Sequence, residues 1–221
     1  FSLADYSWSP DSKQLLVTLP AGRQDLKKEV FIIDASKLNP TVNLINVSLQ
    51  VPEIKKRWLA EEAVKKEAEL ARLPEKLLST LDNKTDNLIF SPDETKILYT
   101  ATASAAIPEE IIPPVAAANT QIESRQIEAG KIYVYDLKED KNFYITDAPK
   151  TVSWYPTSKH IFVVQKDKIS ISEYDGTNRN DVFTGAFVYP FAFPFPAGNR
   201  ILVLTSIGKD TPPNLYAITL R

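Results

Sequence analysis

A short element that combines an aromatic residue, a proline and a turn recurs four times in this chain. Its copies are Trp8-Ser9-Pro10-Asp11, Phe90-Ser91-Pro92-Asp93, Trp154-Tyr155-Pro156-Thr157 and, more weakly, Phe195-Pro196-Ala197-Gly198. In each copy an apolar run begins five residues after the proline, at Leu15, Ile97, Ile161 and Ile201. Recurrence at a fixed offset indicates repeated supersecondary units, so most of the sequence specifies a scaffold.

Each repeat is predicted to form an antiparallel meander of four strands, the unit from which a propeller blade is built. The third strands share a period of two, as in Val30-x-Ile32-x-Asp34, Ile132-x-Val134-x-Asp136 and Ile169-x-Ile171-x-Glu173. The last two prolines lie about 40 residues apart, which is the length of one blade. We therefore predict a mainly β fold: a single domain that is a β-propeller segment of about four blades.

The second and third strands of the repeats are the best defined by their patterns. The second strands are expected at 14–19, 96–101, 160–165 and 200–205, and the third at 29–34, 131–136, 168–173 and 214–220. The blades are expected to span about residues 1–49, 85–146, 147–186 and 187–221, with a helical insertion at 50–84.

Two insertions interrupt the repeats. In the first, Pro52 suits the first turn of a helix and Glu53 its positive end, and Pro74 is expected to break the helix. The second, from about 102 to 130, is a long loop rich in Ala, Ile and Pro. The first insertion lies between two blades, and the second lies between the second and third strands of one blade. In an antiparallel meander these two connections are at the same end of the strands, so we expect both insertions to leave from that end. Elaboration of one face is typical of a scaffold that carries binding.

Composition excludes several classes of function. The 221 residues carry a net charge of −2, so there is no basic footprint for nucleic acid, and there is no Cys for a disulfide or a thiolate site. No cluster has metal-ligand spacing and no Gly-rich loop could cradle a phosphate, so we expect no metal and no cofactor. No apolar run is long enough to span a bilayer, and we expect no membrane insertion within this segment.

The chain has no Met, even at position 1, and we expect it to be a processed product or a segment of a longer protein. The fourth repeat has no candidate for an outer strand. Because closed propellers avoid free edges, we expect residues upstream of Phe1 to supply this closing strand.

The Ser-Pro-Asp motif, the strand Gly130-Lys131-Ile132-Tyr133-Val134-Tyr135-Asp136 and the turn Asp175-Gly176-Thr177-Asn178 resemble the WD-repeat-like blades of TolB-type bacterial propellers. With the Ala/Pro-rich loop and the ending Pro212-Pro213-Asn214-Leu215-Tyr216-Ala217-Ile218, the chain is also similar to the propeller that follows PEGA domains in bacterial surface proteins. The resemblance implies a non-enzymatic, extracytoplasmic scaffold at the cell envelope for protein or glycan contacts. The third and fourth copies depart from the motif at Thr157 and Ala197, and no functional residue is carried over from motifs that are structural.

Candidate catalytic residues all have a stronger structural interpretation. Asp11 and Asp93 are predicted to bond backbone N–H groups in a turn. His160 is the only histidine, so a catalytic triad would have to use it. It occupies the same place as Gln14, Lys96 and Arg200 at the start of a second strand, so we predict a structural role and no catalytic residue.

The candidate partner-binding residues lie in the two insertions: Arg57, Trp58, Glu109, Glu110 and Arg125. Trp and Arg side by side are enriched at interface hot spots, but we expect Trp58 to anchor its helix to the propeller, because so patchy an apolar stripe needs an anchor. The acidic pair could bind a cation or meet a basic partner, but we expect it to be a solvated pair that keeps an apolar loop soluble. The alternating Tyr189, Phe191, Phe193 and Phe195 are expected to pack between blades, with a ligand cavity as the alternative.

Three functions remain open from the sequence. The first is a scaffold whose elaborated face binds a protein or glycan partner at the cell envelope. The second is the substrate-gating propeller of a larger hydrolase, and the third is a purely structural spacer.

Overall fold

The computed structural model describes residues 4–19, 28–37, 44–113, 115–116, 118–148, 150–208 and 211–220, so the predicted blades lie partly outside the described residues. The helices are α1 (Val51–Leu70) and α2 (Glu75–Leu81). The strands are β1 (Asp5–Trp8), β2 (Gln14–Leu19), β3 (Glu29–Asp34), β4 (Ile45–Asn46), β5 (Thr85–Phe90), β6 (Lys96–Ala101), β7 (Ala105–Ala106), β8 (Gln126–Ile127), β9 (Lys131–Asp136), β10 (Lys141–Asp147), β11 (Thr151–Trp154), β12 (His160–Val164), β13 (Lys168–Glu173), β14 (Asn180–Thr184), β15 (Ala192–Pro194), β16 (Arg200–Thr205) and β17 (Asn214–Thr219).

The strands form the blades that the repeats predicted. Blade 1 has the strand order β1-β2-β3-β4, blade 2 β5-β6-β9-β10, blade 3 β11-β12-β13-β14 and blade 4 β15-β16-β17. Every pairing within a blade is antiparallel. Blade 4 has three strands among the described residues, and β17 lies at its edge. The prediction of a mainly β fold built from propeller blades, with one helical insertion and one long loop, is confirmed.

The chain divides into two compact units, Phe1–Leu73 and Pro74–Arg221. The first contains blade 1 and α1, and the second contains α2 and blades 2 to 4. The boundary falls inside the segment that the sequence treats as one helical insertion. Helix α1 ends at Leu70, before Pro74, and Pro74 is the residue that immediately precedes α2.

The recurring motif makes the same turn in all four blades. The backbone N–H groups of Ser9, Ser91, Tyr155 and Phe195 each donate to the carbonyl oxygen five residues later, at 2.8–2.9 Å. Three residues after each donor comes a left-handed residue: Ser12, Glu94, Ser158 and Gly198, with φ from 58° to 70°. As predicted for the first two copies, Asp11 and Asp93 belong to the turn. Each accepts a hydrogen bond of 2.6 Å from the motif serine.

Successive blades of the second unit pack face to face. In blade 3, Ile161 and Val163 pack against Leu98 and Val134 of blade 2. The alternate residues of the same strand, Phe162 and Val164, belong to the cluster shared with blade 4. We call the side of a blade that carries the first pair its preceding face and the other side its following face. The period of two in β12 therefore produces two buried faces.

In the first unit, α1 covers the following face of blade 1. Leu16 and Val30, which hold positions equivalent to those on the following faces of blades 2 and 3, form one cluster with Ile54 and Trp58 of the helix. These two are the buried residues of α1. The patchy apolar pattern predicted a helix with little buried surface, and the structure agrees.

The two insertions meet at one end of blade 2. The carbonyl oxygen of Lys84, where the first insertion ends, accepts hydrogen bonds from the N–H groups of Thr102 and Ala103, where the second begins, at 2.8 and 3.3 Å. Helix α2 also contacts β7. Within the second unit, the end of the first insertion and the start of the second therefore lie at the same end of the strands, as expected.

The alternating aromatic residues near blade 4 differ from expectation. Tyr189, Phe191, Phe193 and Phe195 were predicted to pack between blades, yet their exposed fractions are 38, 47, 51 and 38%. Phe193 pairs with Leu202, which lies on the following face of blade 4, and no described blade of the second unit covers that face. The alternation was sufficient to place the rings on one face but could not specify what covers them.

Candidate binding surface

The second insertion has a structured neck. Strands β7 and β8 pair antiparallel, with Ala105 opposite Ile127. Above this ladder, the N–H of Ile107 donates to the carbonyl oxygen of Arg125 at 2.9 Å. Ile107 and Ile127 are buried. We call residues 107–125 the insertion loop.

Arg125 ties the insertion loop to blade 2. Its guanidinium lies 3.2 Å from the carboxylate of Asp140 and 2.8 Å from that of Glu123, and it donates to the carbonyl oxygen of Pro108 at 2.6 Å. The Asp140 carboxylate also accepts from the N–H of Ile111 at 3.1 Å and from the hydroxyl of Tyr135. One buried carboxylate at the end of a blade hairpin thus holds both sides of the loop.

The cluster shifts the pKa values of Arg125 and Tyr135. Burial lowers the pKa of the Arg125 guanidinium, but the hydrogen bond to Asp140 and the charge of that carboxylate outweigh burial and raise it above its ordinary value. Burial raises the pKa of the Tyr135 hydroxyl far above its ordinary value, and the bond to Asp140 raises it further. Near neutral pH the guanidinium therefore stays charged and the phenol neutral.

A second attachment lies on the preceding face of blade 2. The amide of Asn142 donates to the carbonyl oxygen of Ser124 at 2.7 Å, and the N–H of Ser124 donates to the carbonyl oxygen of Asn142 at 2.6 Å. Tyr99, fully buried, donates to the Asn142 side chain at 2.8 Å. The loop therefore continues the hydrogen bonding of blade 2 beyond its outer strand β10 and bonds to Asn142, which also accepts from Tyr99 on the preceding face.

A third attachment joins the loop to blade 3. The side-chain amide of Asn119 donates to the carboxylate of Asp175 at 2.8 Å and to the hydroxyl of Tyr174 at 3.1 Å. The backbone N–H of Asn119 donates to Glu139 at 2.7 Å, and its carbonyl oxygen accepts from Lys141. Burial raises the pKa of the Asp175 carboxyl, but the bonds from Asn119 and Thr177 outweigh burial and leave it below its ordinary value. Asp175 therefore accepts these bonds as a carboxylate.

Between these attachments the loop exposes apolar and acidic side chains. Ile122 is 95% exposed and Val115 is 45% exposed. Glu109 and Glu110 are also exposed. We call these four residues the loop apex. Exposed large aliphatic side chains on a loop that is attached to a rigid scaffold are typical of a surface that a partner covers.

The structure separates the residues that the sequence nominated for partner binding. Arg57 and Trp58 lie on α1 in the first unit, where Arg57 is exposed and pairs with Glu61 at 3.6 Å. Trp58 is 6% exposed and packs on blade 1, which favours its role as the anchor of the helix. Arg125 is engaged by Asp140 and Glu123 within the chain. Glu109 and Glu110 are exposed, and their contact with a partner stays a prediction.

Sequence reasoning missed Asn119, Asp140 and Asn142, which carry the attachments. Asn119 is one polar residue in an irregular loop, and a single polar residue has no periodicity to detect. Asp140 could have been found, because it follows a predicted strand at a position where a tight hairpin favours Asp. Its backbone is in the left-handed region, with φ of 54°.

His160 takes part in the turn of blade 3. Its ring lies 3.0 Å from the hydroxyl of Thr157 and packs edge-on against Tyr155. A groove of about 390 Å³ between β1 and α1 is lined by residues that include Trp8, Lys55 and Glu62. A second cavity of about 240 Å³, where blades 2 and 3 meet, is lined by residues that include Ile89, Tyr99 and Lys150. Neither lining contains the histidine.

Within the described residues, no three His, Cys, Asp or Glu side chains are grouped so that they could hold a metal ion. A search of the same residues finds neither helix long and apolar enough to span a membrane.

Comparison with known proteins gives matches only among solved structures. No family model matches the chain, and no curated protein matches it. The putative TolB from Agrobacterium tumefaciens matches with a TM-score of 0.38 and 11% identity, over 98% of this chain and 61% of that one. TolB from Acinetobacter baumannii matches with a TM-score of 0.37 and 15% identity, over 98% and 40%.

The β-propeller domain of the Trilobed protease from Pyrococcus furiosus matches with a TM-score of 0.37 and 12% identity, over 97% of this chain and 54% of that one. The chain thus spans less than two thirds of the length of each of these proteins. TolB structures are among the matches, as the resemblance predicted, while the relation to propellers after PEGA domains stays a prediction. At these scores the matches assign no activity or partner, and the blade architecture rests on the sheets described above.

Proposed function

We propose that this chain is a non-enzymatic propeller scaffold that binds a protein partner through the insertion loop. The observation that carries the proposal is the contrast between the two sides of the loop. Its inner side is attached to blades 2 and 3 through Asn119, Asp140 and Asn142, while Val115 and Ile122 remain exposed at its apex. Loops fixed by a rigid scaffold are the usual carriers of binding.

Attachment of the insertion loop before a partner arrives is expected to increase its affinity for that partner. A loop that is attached on its inner side loses less conformational entropy when a partner covers it, so more of the contact energy appears as affinity. The anchoring bonds are buried or half-buried and use the polar groups of the loop, which leaves the aliphatic side chains for an intermolecular contact.

The apex chemistry favours a protein over a glycan. Ile122 and Val115 offer aliphatic contact, whereas sugar rings are commonly held against aromatic faces, and no aromatic residue occurs in the sequence from 107 to 125. Glu109 and Glu110 add negative charge, so the partner surface is expected to combine an apolar pocket with basic residues at its rim. The location at the cell envelope is part of the proposal and is supported by the sequence resemblance.

The test uses a photo-crosslinking amino acid at Ile122 in cells of the source organism, with the same group at Leu49 as a control. Leu49 is 97% exposed and belongs to the first unit, not to the insertion loop. We expect a defined crosslinked protein from position 122, absent from position 49 and lost when Val115→Lys is added. An unchanged crosslink in that variant would contradict the proposal. Binding of purified chain to immobilised glycans, abolished by the same variant, would replace the protein partner with a glycan.

A further inference from the structure

The contact between blades 2 and 3 leaves a cavity at one of its ends. At the end where the turn motif lies, the indole N–H of Trp154 donates to the carbonyl oxygen of Ile89 at 2.9 Å, and the N–H of Asp93 donates to the hydroxyl of Ser158 at 3.0 Å. At the opposite end, where β11 begins, the blades enclose a cavity of about 240 Å³. The described residues that line it all belong to the second unit.

Two irregularities in the strand pairing of blade 2 lie beside this cavity. The pairing of β5 with β6 shifts register between Asp86 and Ile89, and Asn87 in this bulge has a left-handed backbone with φ of 54°. The pairing of β10 with β9 shifts register between Tyr144 and Thr146. Such bulges are over-represented next to functional sites, where they redirect side chains. Regular pairing is therefore interrupted in both edge strands of the sheet whose middle strands contribute to the cavity wall.

The cationic group of the cavity is the ammonium of Lys150. The connection from blade 2 to blade 3 is fixed where the N–H of Ala148 donates to the carbonyl oxygen of Gly130 at 2.8 Å. Two residues further on, the Lys150 ammonium donates to the hydroxyl of Thr146 at 2.7 Å. An ammonium has three donors, and among the described residues this is its one hydrogen bond. The other donors are available to a ligand.

The rest of the lining is neutral. Polar side chains come from Asn87, Thr100 and Thr151, and aliphatic side chains from Ile89, Leu98, Ile132 and Val152. Of the described residues that line the cavity, Lys150 alone carries a charge. Asp86 pairs with Thr100 across the strands, but it is exposed and does not line the cavity. The lining therefore combines one cation with hydroxyl and amide groups and an aliphatic wall.

This combination fits a small aliphatic carboxylate. A cation without a carboxylate beside it in the lining favours an anion, and hydrogen bonds between charged groups are the stronger ones. Ile89 is 45% exposed, so an alkyl chain that covers it removes apolar surface from water.

The volume limits the length of the chain. Pockets for drug-sized ligands occupy about 300–1,000 Å³, and this cavity is smaller. At about 30 Å³ for each water-sized group, it holds roughly eight such groups. We infer that the cavity binds a carboxylate with about six carbons, with its charged end at Lys150 and its chain against Ile89 and Val152. None of the described lining residues belongs to the insertion loop, so this site and the proposed partner surface are tested separately.

The test is an amide NMR titration of the 221-residue chain with hexanoate, which has both parts of the expected ligand. Three analogues control for these parts: acetate lacks the chain, hexanol lacks the charge and hexylamine reverses it. We expect saturable shifts at the amides of Asn87, Thr100 and Thr151 with hexanoate, and binding of each analogue weaker by about tenfold or more. Hexylamine binding as tightly as hexanoate, or no saturable shift at these amides with hexanoate, would overturn the inference.

A lysine substitution tests the charged end. Lys150→Met removes the ammonium and keeps the length of the side chain. We expect hexanoate to bind about tenfold more weakly or worse, while hexanol binds as before, which also shows that the cavity has kept its shape. Lys159→Met is the matched control, because this exposed lysine lies beyond the other end of β11, and its affinity for hexanoate should be unchanged. Equal losses in the two variants, or no loss in Lys150→Met, would contradict the assignment.

A second substitution tests the position of the chain. Ile89→Phe places a larger side chain in the aliphatic wall without removing a charge. We expect hexanoate and hexanol both to bind about tenfold more weakly, as for the loss of about two buried CH₂ groups, with the amide spectrum of blade 4 unchanged. Unchanged affinity for both molecules would show that the alkyl chain does not occupy this cavity.

Discussion

The side-chain amide of Asn119 lies 2.8 Å from the carboxylate of Asp175, so a residue of the insertion loop is bonded to the turn of the following blade. Thr177 donates to the same carboxylate through its backbone N–H at 3.0 Å and its hydroxyl at 2.6 Å. These donors favour the charged form of Asp175. One ionised carboxyl group, together with the hydroxyl of Tyr174, therefore attaches the loop to blade 3.

Acid is expected to loosen this attachment. Burial raises the pKa of Asp175, but the bonds from Asn119 and Thr177 bring it below its ordinary value, so the folded state binds the proton more weakly than the unfolded chain. The resulting stability is present above the unfolded pKa of about 3.9 and is lost as the pH falls through the lower, folded pKa. We expect Asp175→Asn to be less stable than the unmodified chain at neutral pH, with the difference shrinking below roughly pH 4.

An NMR titration of the Asp175 carboxyl carbon checks the cause directly. Asn119→Ala removes the donor that acts most strongly on this group, so the pKa is expected to rise. Because Thr177 remains, the rise should be smaller than the one produced by removing both donors. A pKa that does not move in Asn119→Ala would show that the loop does not contact Asp175 in solution.

The Arg125–Asp140 pair is expected to be worth far more than an exposed ion pair. The two side chains are 16 and 7% exposed, and Arg125→Gln leaves the Asp140 charge without its cation. Removing one partner of a buried pair typically costs about 3–5 kcal/mol, and the residual exposure of Arg125 places this variant near the lower value. Hydrogen exchange of the loop amides is expected to increase.

Arg57→Gln is the matched control, because Arg57 pairs with Glu61 on the surface of α1 with side chains 57 and 50% exposed. Its free energy of unfolding is expected to change by less than about 0.5 kcal/mol. Equal effects of the two substitutions would mean that Asp140 is solvated and that the loop is held by other contacts.

How far the sequence predicted this structure depends on the kind of information each feature carries. Strand β6 was predicted with its observed bounds, as was β9, because a period of two in an apolar segment determines both the element and its faces. The turn at Pro92 was predicted because proline, aspartate and a following polar pair restrict the backbone locally. Features that depend on a few neighbouring residues could be derived without the structure.

Features that depend on residues far apart in the sequence could not be derived without the structure. The alternation of Phe191, Phe193 and Phe195 determined that they share a face but contained no information on whether another element covers it. The two-residue ladder of Ala105 and Ile127 is too short to leave a pattern. For the same reason the attachment points of the insertion loop were not predicted, although its length and composition marked it as a functional candidate.

Two glycines allow backbone strain and steric contact to be measured separately. Gly176 and Gly130 both have a left-handed backbone, with φ of 84° and 79°. A Cβ at Gly176 would lie 2.6 Å from the carbonyl oxygen of Tyr144 in the neighbouring blade, whereas one at Gly130 would meet nothing within 4 Å. Gly130→Ala is expected to cost only the conformational term, about 1–2 kcal/mol.

Gly176→Ala is expected to cost a further 1–3 kcal/mol or so, because the backbone of blade 3 must move away from blade 2. Urea denaturation of the two variants compares the costs under the same conditions. If both lose the same stability, blades 2 and 3 are not in close contact at this turn.

Adjacent residues on α1 test how the helix is held to blade 1. Trp58 is 6% exposed and belongs to the cluster with Leu16 and Val30, whereas Leu59 is 65% exposed. Trp58→Ala is expected to destabilise the first unit by about 3–5 kcal/mol, because a large buried ring is lost and the cavity cannot close fully. Leu59→Ala is expected to stay within about 0.5 kcal/mol, as for a surface substitution.

Circular dichroism at 222 nm (a wavelength that reports helix content) follows both variants during urea denaturation. Because Ile54 is the other buried residue of the helix, Trp58 carries most of its apolar contact with the blade. Loss of helix signal at lower urea in Trp58→Ala, but not in Leu59→Ala, would show that packing on the sheet, rather than helix propensity, keeps α1 folded. Similar midpoints would instead mean that the helix is stable without the blade, and that the following face of blade 1 is free to take another partner.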